Sequence, residues 1–150
     1  VSVKLASPSI TYNNIAEADR DVYVLNDGDW VGEDTFITYD TIGTGWTKES
    51  DRVYSRVGGG EATSTQVAYT NEVYSEGDVV RLTANITELV EGSFNVRVQG
   101  GANQALPASV GIHSVDCIVG ASGTDRLRSV TATTTGTVEI ISVKRVIEVA

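Results

Sequence analysis

The sequence predicts an all-β fold, built as an antiparallel β-sandwich. Val, Ile and Thr together make up about a third of the 150 residues, and such β-branched side chains favour the pleated surface of a strand over a helix. Fifteen glycines interrupt the chain at frequent intervals. Several of the segments between turn residues alternate apolar and polar side chains with a period of two, which is typical of strands that bury one face.

The first predicted strands lie near the N-terminus. Residues 1–5 and 22–25 alternate in this way, and the second segment ends at the turn sequence Asn26-Asp27-Gly28.

Residues 79–86 and 94–99 form the clearest pair of strands, separated by a turn at Glu91-Gly92, and we expect them to be neighbours in one sheet. The side chains of residues 79–86 expected to point inward are Val80, Leu82, Ala84 and Ile86.

The later strands complete the sandwich. Residues 113–119 and 126–130 are predicted strands, and residues 138–149 form a long last strand that bends or changes face near Ile140-Ile141. At least seven short strands with turn signals every 8–12 residues are typical of a sandwich or barrel. A gap in the pattern around residues 26–45 predicts an N-terminal extended arm over residues 1–40, followed by the sandwich over residues 41–150.

The charge balance narrows the range of partners. Eleven Lys and Arg stand against twenty Asp and Glu, which gives a net charge of −9. Such a surface disfavours nucleic acid and anionic membranes as partners, and no apolar run reaches the length of a membrane span. Residues 16–40 hold eight of the acids and one base. This segment is either a solvated face or a contact surface for a basic partner.

Little in the sequence points to catalysis. Cys117 is the only cysteine, and its place on a strand face with Val115 and Val119 predicts a buried apolar role. His113 is the only histidine, so any Ser–His–Asp triad or histidine-based metal site depends on it alone. We therefore expect a non-enzymatic protein. A glycosidase carboxylate pair stays open by counting alone, but a compact sandwich of this length offers little chain for a deep cleft.

Calcium is the one cofactor that the sequence leaves open. Asp27, Asp29 and Asp34 lie at close spacing and offer the hard oxygen ligands that calcium prefers. The segment lacks the EF-hand pattern, and a plain acidic turn is the alternative interpretation.

Aromatic residues supply the candidate contact sites. A planar ring matches the apolar face of a sugar, and Trp is also frequent at protein interfaces. Trp46 is expected in the core. The candidates for contact with a glycan or a protein partner are Trp30, Tyr54, Tyr69 and Tyr74.

From Gly45 onward the order of motifs suggests a family. Gly45-Trp46-Thr47 and the glycine turn Gly58-Gly59-Gly60 are followed by residues 74–83, 91–98, 111–113 and 136–144. In this order and spacing, the chain resembles the galactose-binding-like, carbohydrate-binding-module-type jelly roll of tailed-phage structural proteins. It departs from that pattern in residues 1–40, which have no counterpart. It departs again at Glu139-Ile140-Ile141, which replaces an acidic–Asn pair of the last strand.

The resemblance implies a non-enzymatic virion structural protein that assembles in the host cytoplasm. Within that class we expect a capsid decoration protein, because the chain lacks the long repetitive shaft of a fibre. Its N-terminal part would bind the major capsid protein or another virion protein, and homo-oligomers such as trimers are common in these assemblies. The alternative is a carbohydrate-binding module, or a tail or fibre adhesin, that contacts host surface glycans.

Overall fold

The computed structural model describes residues 24–26, 29–59 and 65–147. All the regular secondary structure in these ranges is β-strand. No helix in this part of the chain is long and apolar enough to cross a membrane. The strands are β1 (Val24–Asn26), β2 (Asp29–Asp34), β3 (Thr41–Ile42), β4 (Trp46–Lys48), β5 (Val53–Arg56), β6 (Gln66–Thr70), β7 (Val79–Glu91), β8 (Phe94–Arg97), β9 (Gln104–Ala105), β10 (Gly111–Ile118), β11 (Thr124–Ser129) and β12 (Thr135–Ile147).

The strands form two antiparallel sheets that pack face to face, which confirms the predicted β-sandwich. In the first sheet β12 is central, with β7 and then β10 on one side and both β2 and β5 on the other. Strand β1 extends this sheet beside β2, and β4 extends it beside β5. The second sheet has the order β3-β6-β11-β8-β9.

The strand order is that of a jelly roll. From β5 to β12 the chain supplies β5-β12-β7-β10 to the first sheet and β6-β11-β8-β9 to the second. Apart from the β8–β9 hairpin, each of these connections crosses from one sheet to the other. Two interlocked Greek keys of eight strands give this arrangement, so the predicted fold class is confirmed at the level of topology.

The predicted pairing between residues 79–86 and 94–99 is wrong. Strand β7 pairs with β10 and β12 in the first sheet, whereas β8 pairs with β11 and β9 in the second. The turn between them, with Gly92 at a positive φ of 78°, carries the chain across the sandwich. Both strands bury alternate side chains in the same core, so their alternation is the same for a hairpin as for a crossing between sheets.

The expected bend in the last strand is confirmed. The pairing of β12 with β7 shifts register between Ile140 and Ser142, which leaves Ile141 as an extra, exposed residue. A bulge of this kind bends the strand. It lets Ile140 and Val143 both reach the core.

The boundary predicted at residue 40 does not match the fold. Strand β2 pairs with the C-terminal part of β12, where Val31 lies opposite Val146, and Phe36 and Tyr39 are part of the core. Residues 29–40 therefore belong to the sandwich, where we had predicted an arm. Residues 1–23 of the predicted arm lie outside the described residues.

The core fills the space between the sheets. The four inward positions predicted on β7 are all buried, as are Cys117 on β10 and Val119 just after it. Trp46 takes its expected place in the core, with its ring centroid 5.7 Å from that of Phe94. Each large apolar side chain buried in this way contributes about 1.5–3 kcal/mol.

Candidate functional site

Tyr54 is not available as a contact residue. Its side chain is 0% exposed, and its hydroxyl oxygen accepts a hydrogen bond from the Tyr39 N–H at 2.7 Å. The ring packs against that of Tyr39 at a centroid distance of 5.1 Å. A fully buried ring offers no face to a sugar, so the prediction of a surface role is wrong for Tyr54.

The other predicted aromatic contacts lie on separate elements. Tyr69 on β6 and Tyr74 in the loop before β7 are half-buried and pack against the core. The Tyr74 hydroxyl hydrogen-bonds that of Thr35. Trp30 lies on β2, where the structure describes its backbone alone. Tyr69 and Tyr74 are thus only partly exposed, and their predicted glycan contact stays a prediction, as does that of Trp30.

The Asp34 carboxylate is used by the fold. Its Oδ1 accepts the N–H groups of Phe36 at 3.0 Å and Val143 at 2.9 Å, and its Oδ2 lies 2.8 Å from an Arg52 guanidinium nitrogen. These bonds fix the chain as it leaves β2. Asp27 lies outside the described residues, and Asp29 is described by its backbone alone. Among the described residues, no group of three or more His, Cys, Asp or Glu could hold a metal ion.

Polar side chains hold together what we call the loop end, the loops of residues 71–78, 98–103 and 119–123. Gln99 is buried there and has a positive φ of 46°. Its amide accepts from the Tyr74 N–H at 3.0 Å and donates to the carbonyls of Tyr74 at 2.8 Å and Gly120 at 3.2 Å. One side chain therefore ties all three loops.

Asp125 is buried beside Gln99 and belongs to the same hydrogen-bond network. Its carboxylate accepts the Gln99 N–H at 2.7 Å. Burial raises the pKa of Asp125 to about 6, although that hydrogen bond and Arg97 act in the opposite direction. Burial first, and the charge of Asp125 next, raise the pKa of Tyr39, and burial raises the pKa of the Cys117 thiol to about 12. Burial thus keeps the Tyr39 hydroxyl and the Cys117 thiol in their uncharged forms at neutral pH.

Strand β10 is an open edge of the first sheet, because β7 is its single partner among the described strands. The Val119 N–H donates to the Asp78 carbonyl at 2.9 Å, and the Val119 carbonyl accepts the Gly77 N–H at 2.9 Å. Backbone groups alternate in direction along an antiparallel strand. The odd-numbered residues of β10 therefore direct their N–H and C=O groups to β7, and the even-numbered ones direct theirs away from it. Those of Ile112, Ser114 and Asp116 lie along the open edge, whereas the Ile118 carbonyl lies against the backbone of Gly101.

The same even-numbered residues point their side chains away from the core. Ile112 is 66% exposed and Ile118 is 59% exposed. Between them, Ser114 hydrogen-bonds Thr83 through its hydroxyl at 2.8 Å, and Asp116 forms an ion pair with Arg81 at 2.9 Å. The edge combines open backbone groups with two exposed isoleucines on one face.

The outer face of the second sheet carries a polar surface. Arg97 and Arg126 lie directly opposite each other on β8 and β11. The Arg126 guanidinium donates to the side-chain oxygens of Gln66 and Asn103, each at 2.9 Å, and that of Arg97 donates to Thr124. Burial first, then Arg97 and Arg128, lower the pKa of Arg126. Like charges thus adjoin on a face lined by amides.

The sequence analysis did not identify Gln99, Asp125, the β10 edge or the Arg97–Arg126 pair as functional groups. Gln99 and Asp125 bond to partners far along the chain, so no local motif marks them. The β10 edge had a signal, because Ile112 and Ile118 fall on the face opposite the predicted inward residues Val115 and Cys117. The His113 Nε2–H donates a hydrogen bond to the Ser109 carbonyl at 2.8 Å.

Comparison of the sequence with models of protein families, with curated proteins and with solved structures gives no match.

Proposed function

We propose that this chain is a non-enzymatic virion structural protein that works by assembling with other protein subunits, in the role of a capsid decoration protein. The observation that supports it is the β10 edge, eight residues long. Soluble proteins usually protect such an edge with charges, proline, a bulge or a covering segment. Here Ile112 and Ile118 are exposed beside open backbone groups, which is the chemistry of a protein-binding edge.

The virion setting comes from the resemblance to phage jelly rolls, and the jelly-roll strand order supports it. Fold likeness alone does not define function, so the proposal depends on the edge. In this proposal the sandwich is the displayed body, and the β10 edge together with residues 1–23 supplies the attachment to the major capsid protein or another virion protein.

The experiment is co-sedimentation of the purified chain with heads of the phage that encodes it. The double variant Ile112→Lys/Ile118→Lys puts charges on the edge, and Val57→Lys/Val73→Lys is the matched control, since both valines are exposed elsewhere. We expect saturable binding of wild type and control and weaker binding of the edge variant. Absence of wild-type binding to heads, tails and fibres alike would contradict the virion proposal.

Glycan binding is the second candidate function, and the Arg97–Arg126 face favours it. Guanidinium groups bind carboxylates in a two-pronged geometry, and the amides of Gln66 and Asn103 suit sugar hydroxyls. A glycan array that includes acidic sugars tests it, with calcium and with chelator, since the chelator arm also tests Asp27, Asp29 and Asp34. Arg126→Gln should lose retention of acidic sugars, while Arg145→Gln on the first sheet should keep it.

A further inference from the structure

We propose that the outer face of the second sheet carries a site for one oxyanion group of an acidic glycan, either the carboxylate of a sugar acid or a sulfate ester. In this site the Arg97 guanidinium and the side-chain amides of Gln66 and Asn103 bind the oxyanion, and Arg126 is the positioning residue that holds both amides. The inference rests on the second candidate function, glycan binding. It adds the part of the ligand that is recognised and a separate role for each of the two arginines.

Arg97 and Arg126 differ from other arginines of the chain because they have no carboxylate partner. Carboxylates are abundant, with twenty Asp and Glu against eleven Lys and Arg. Three arginines at the first sheet each pair with one, namely Arg52 with Asp34, Arg81 with Asp116 and Arg145 with Asp78. Arg97 and Arg126 form no ion pair within the described residues. Arg97 acts to lower the pKa of Asp125, but that carboxylate is buried and accepts the Gln99 N–H.

The positive charges on this face repel one another. Arg97 lies directly opposite Arg126, and like charges at opposite positions destabilise a sheet. After burial, the charges of Arg97 and Arg128 are the causes that lower the pKa of Arg126. An anion bound beside these groups offsets the repulsion, so the face favours a negatively charged ligand over a neutral one.

The hydrogen bonds of Arg126 determine which groups are left for a ligand. Its guanidinium donates to the side-chain oxygens of Gln66 and Asn103, each at 2.9 Å, and its Nε is buried. Because both amide oxygens are used in this way, the amide NH₂ groups remain, and they make no hydrogen bond within the described residues. Arg97 bonds Thr124 through its Nε and one terminal nitrogen, which leaves its other terminal nitrogen. The remaining groups are all N–H donors, the partners that the oxygens of an anion require.

Side-chain N–H resonances in an NMR titration of the full chain test the site directly. Methyl galacturonide, methyl galactoside 6-sulfate and methyl galactoside differ in one group, which is a carboxylate, a sulfate ester and a hydroxyl respectively. We expect the two anionic sugars to shift the amide resonances of Gln66 and Asn103 and the side-chain resonance of Arg97. We expect the neutral sugar to leave them unchanged, and the two anionic arms show which oxyanion binds more tightly.

The same titration separates this inference from glycan binding in general. Shifts caused equally by the neutral sugar, or shifts from the anionic sugars confined to other residues, would overturn the oxyanion site and leave glycan binding standing. Absence of shifts with all three sugars, together with no retention on a glycan array, would overturn both. Neither result bears on attachment to phage heads, which co-sedimentation measures.

Asn103→Asp is the sharpest variant of the site. It keeps an oxygen for Arg126 and replaces the free donor by a negative charge, at a residue that is exposed. We expect the Kd for methyl galacturonide to rise about tenfold or more. Gln104→Glu is the matched control, because it makes the same chemical change one residue along, opposite the inward-facing Val96. Equal losses in the two variants would contradict the assigned site.

The dependence of the Kd on salt separates the roles of the two arginines. Arg97→Gln removes a charge that contacts the anion, so binding should weaken and become less sensitive to salt. Arg126→Lys keeps the charge, but one ammonium lacks the planar fork that holds two amides. Binding should therefore weaken by about tenfold while its salt sensitivity stays that of wild type. Wild-type affinity in Arg126→Lys would show that Arg126 does not position the amides.

Discussion

The loop end and the β10 edge use polar groups in opposite ways. At the loop end, Gln99 and Asp125 are buried and their hydrogen bonds are made within the chain. Along β10, alternate backbone groups face outward between exposed isoleucines. This difference indicates that the loop end contributes mainly to the stability of the sandwich, whereas the β10 edge is suited to recognition of a partner. A substitution at the loop end should change the free energy of unfolding, and one on the edge should change association.

Gln99→Ala should have the largest effect on stability. The change removes the amide that bonds the N–H and carbonyl of Tyr74 and the carbonyl of Gly120. Each lost bond leaves a backbone group without that partner, at about 1 kcal/mol or more apiece, so we expect a loss of about 3 kcal/mol. Denaturant unfolding at neutral pH measures it.

Gln104→Ala is the matched control, because it makes the same chemical change at a half-buried position on β9. We expect a loss below about 1 kcal/mol there. Equal losses for the two variants would show that Gln99 does not tie the loops. Both variants should keep wild-type association, since neither lies on the edge.

Asp125→Asn sharpens the comparison through pH. The pKa of Asp125 is raised from 3.8 to about 6 in the folded chain, so this group stabilises the fold most below pH 3.8 and loses that contribution as pH rises through about 6. Asn keeps an oxygen for the Gln99 N–H and does not titrate. From pH 4 to 7.5, the stability of Asp125→Asn relative to wild type should therefore rise by about 2–3 kcal/mol.

Unfolding curves for both chains at the two pH values give this difference directly. Because only the difference between variant and wild type is used, contributions from other carboxylates cancel. A constant difference across this range would mean that burial does not raise the pKa of Asp125. Asp116→Asn, at a partly exposed carboxylate paired with Arg81, is the control.

Most of the strands could be predicted from the sequence, but much of the loop end could not. Alternation placed Val80 and Cys117 in the core because each lies on a strand whose apolar residues share one face. Tyr54 gave no such signal, since the inward face of β5 consists of Tyr54 and Arg56. Partners that come together only in the folded chain leave no local pattern, as at Gln99. The crossing from β7 to β8 was missed for the same reason.

Two neighbouring tyrosines should respond differently to loss of the hydroxyl. Tyr54 and Tyr39 are both fully buried, but the Tyr54 hydroxyl accepts the Tyr39 N–H, whereas the Tyr39 hydroxyl has no hydrogen-bond partner within the described residues. Tyr54→Phe should cost about 1–2 kcal/mol because it leaves a buried N–H without that partner. Tyr39→Phe should be neutral or stabilising by up to about 1 kcal/mol. Equal costs in thermal unfolding would contradict this account of the pair.

The smallest effect on intrinsic stability is expected at the edge, where Ile112→Lys/Ile118→Lys replaces two exposed side chains. At low protein concentration its unfolding free energy should stay within about 0.5 kcal/mol of wild type. At high concentration the melting temperatures of wild type and the edge variant should differ, because association that occurs only in the folded state raises the melting temperature with concentration. Wild type should show that rise and the edge variant should not. A wild-type melting temperature that is independent of concentration would mean that β10 stays unpaired in solution, and the contrast with the loop end would then be one of exposure alone.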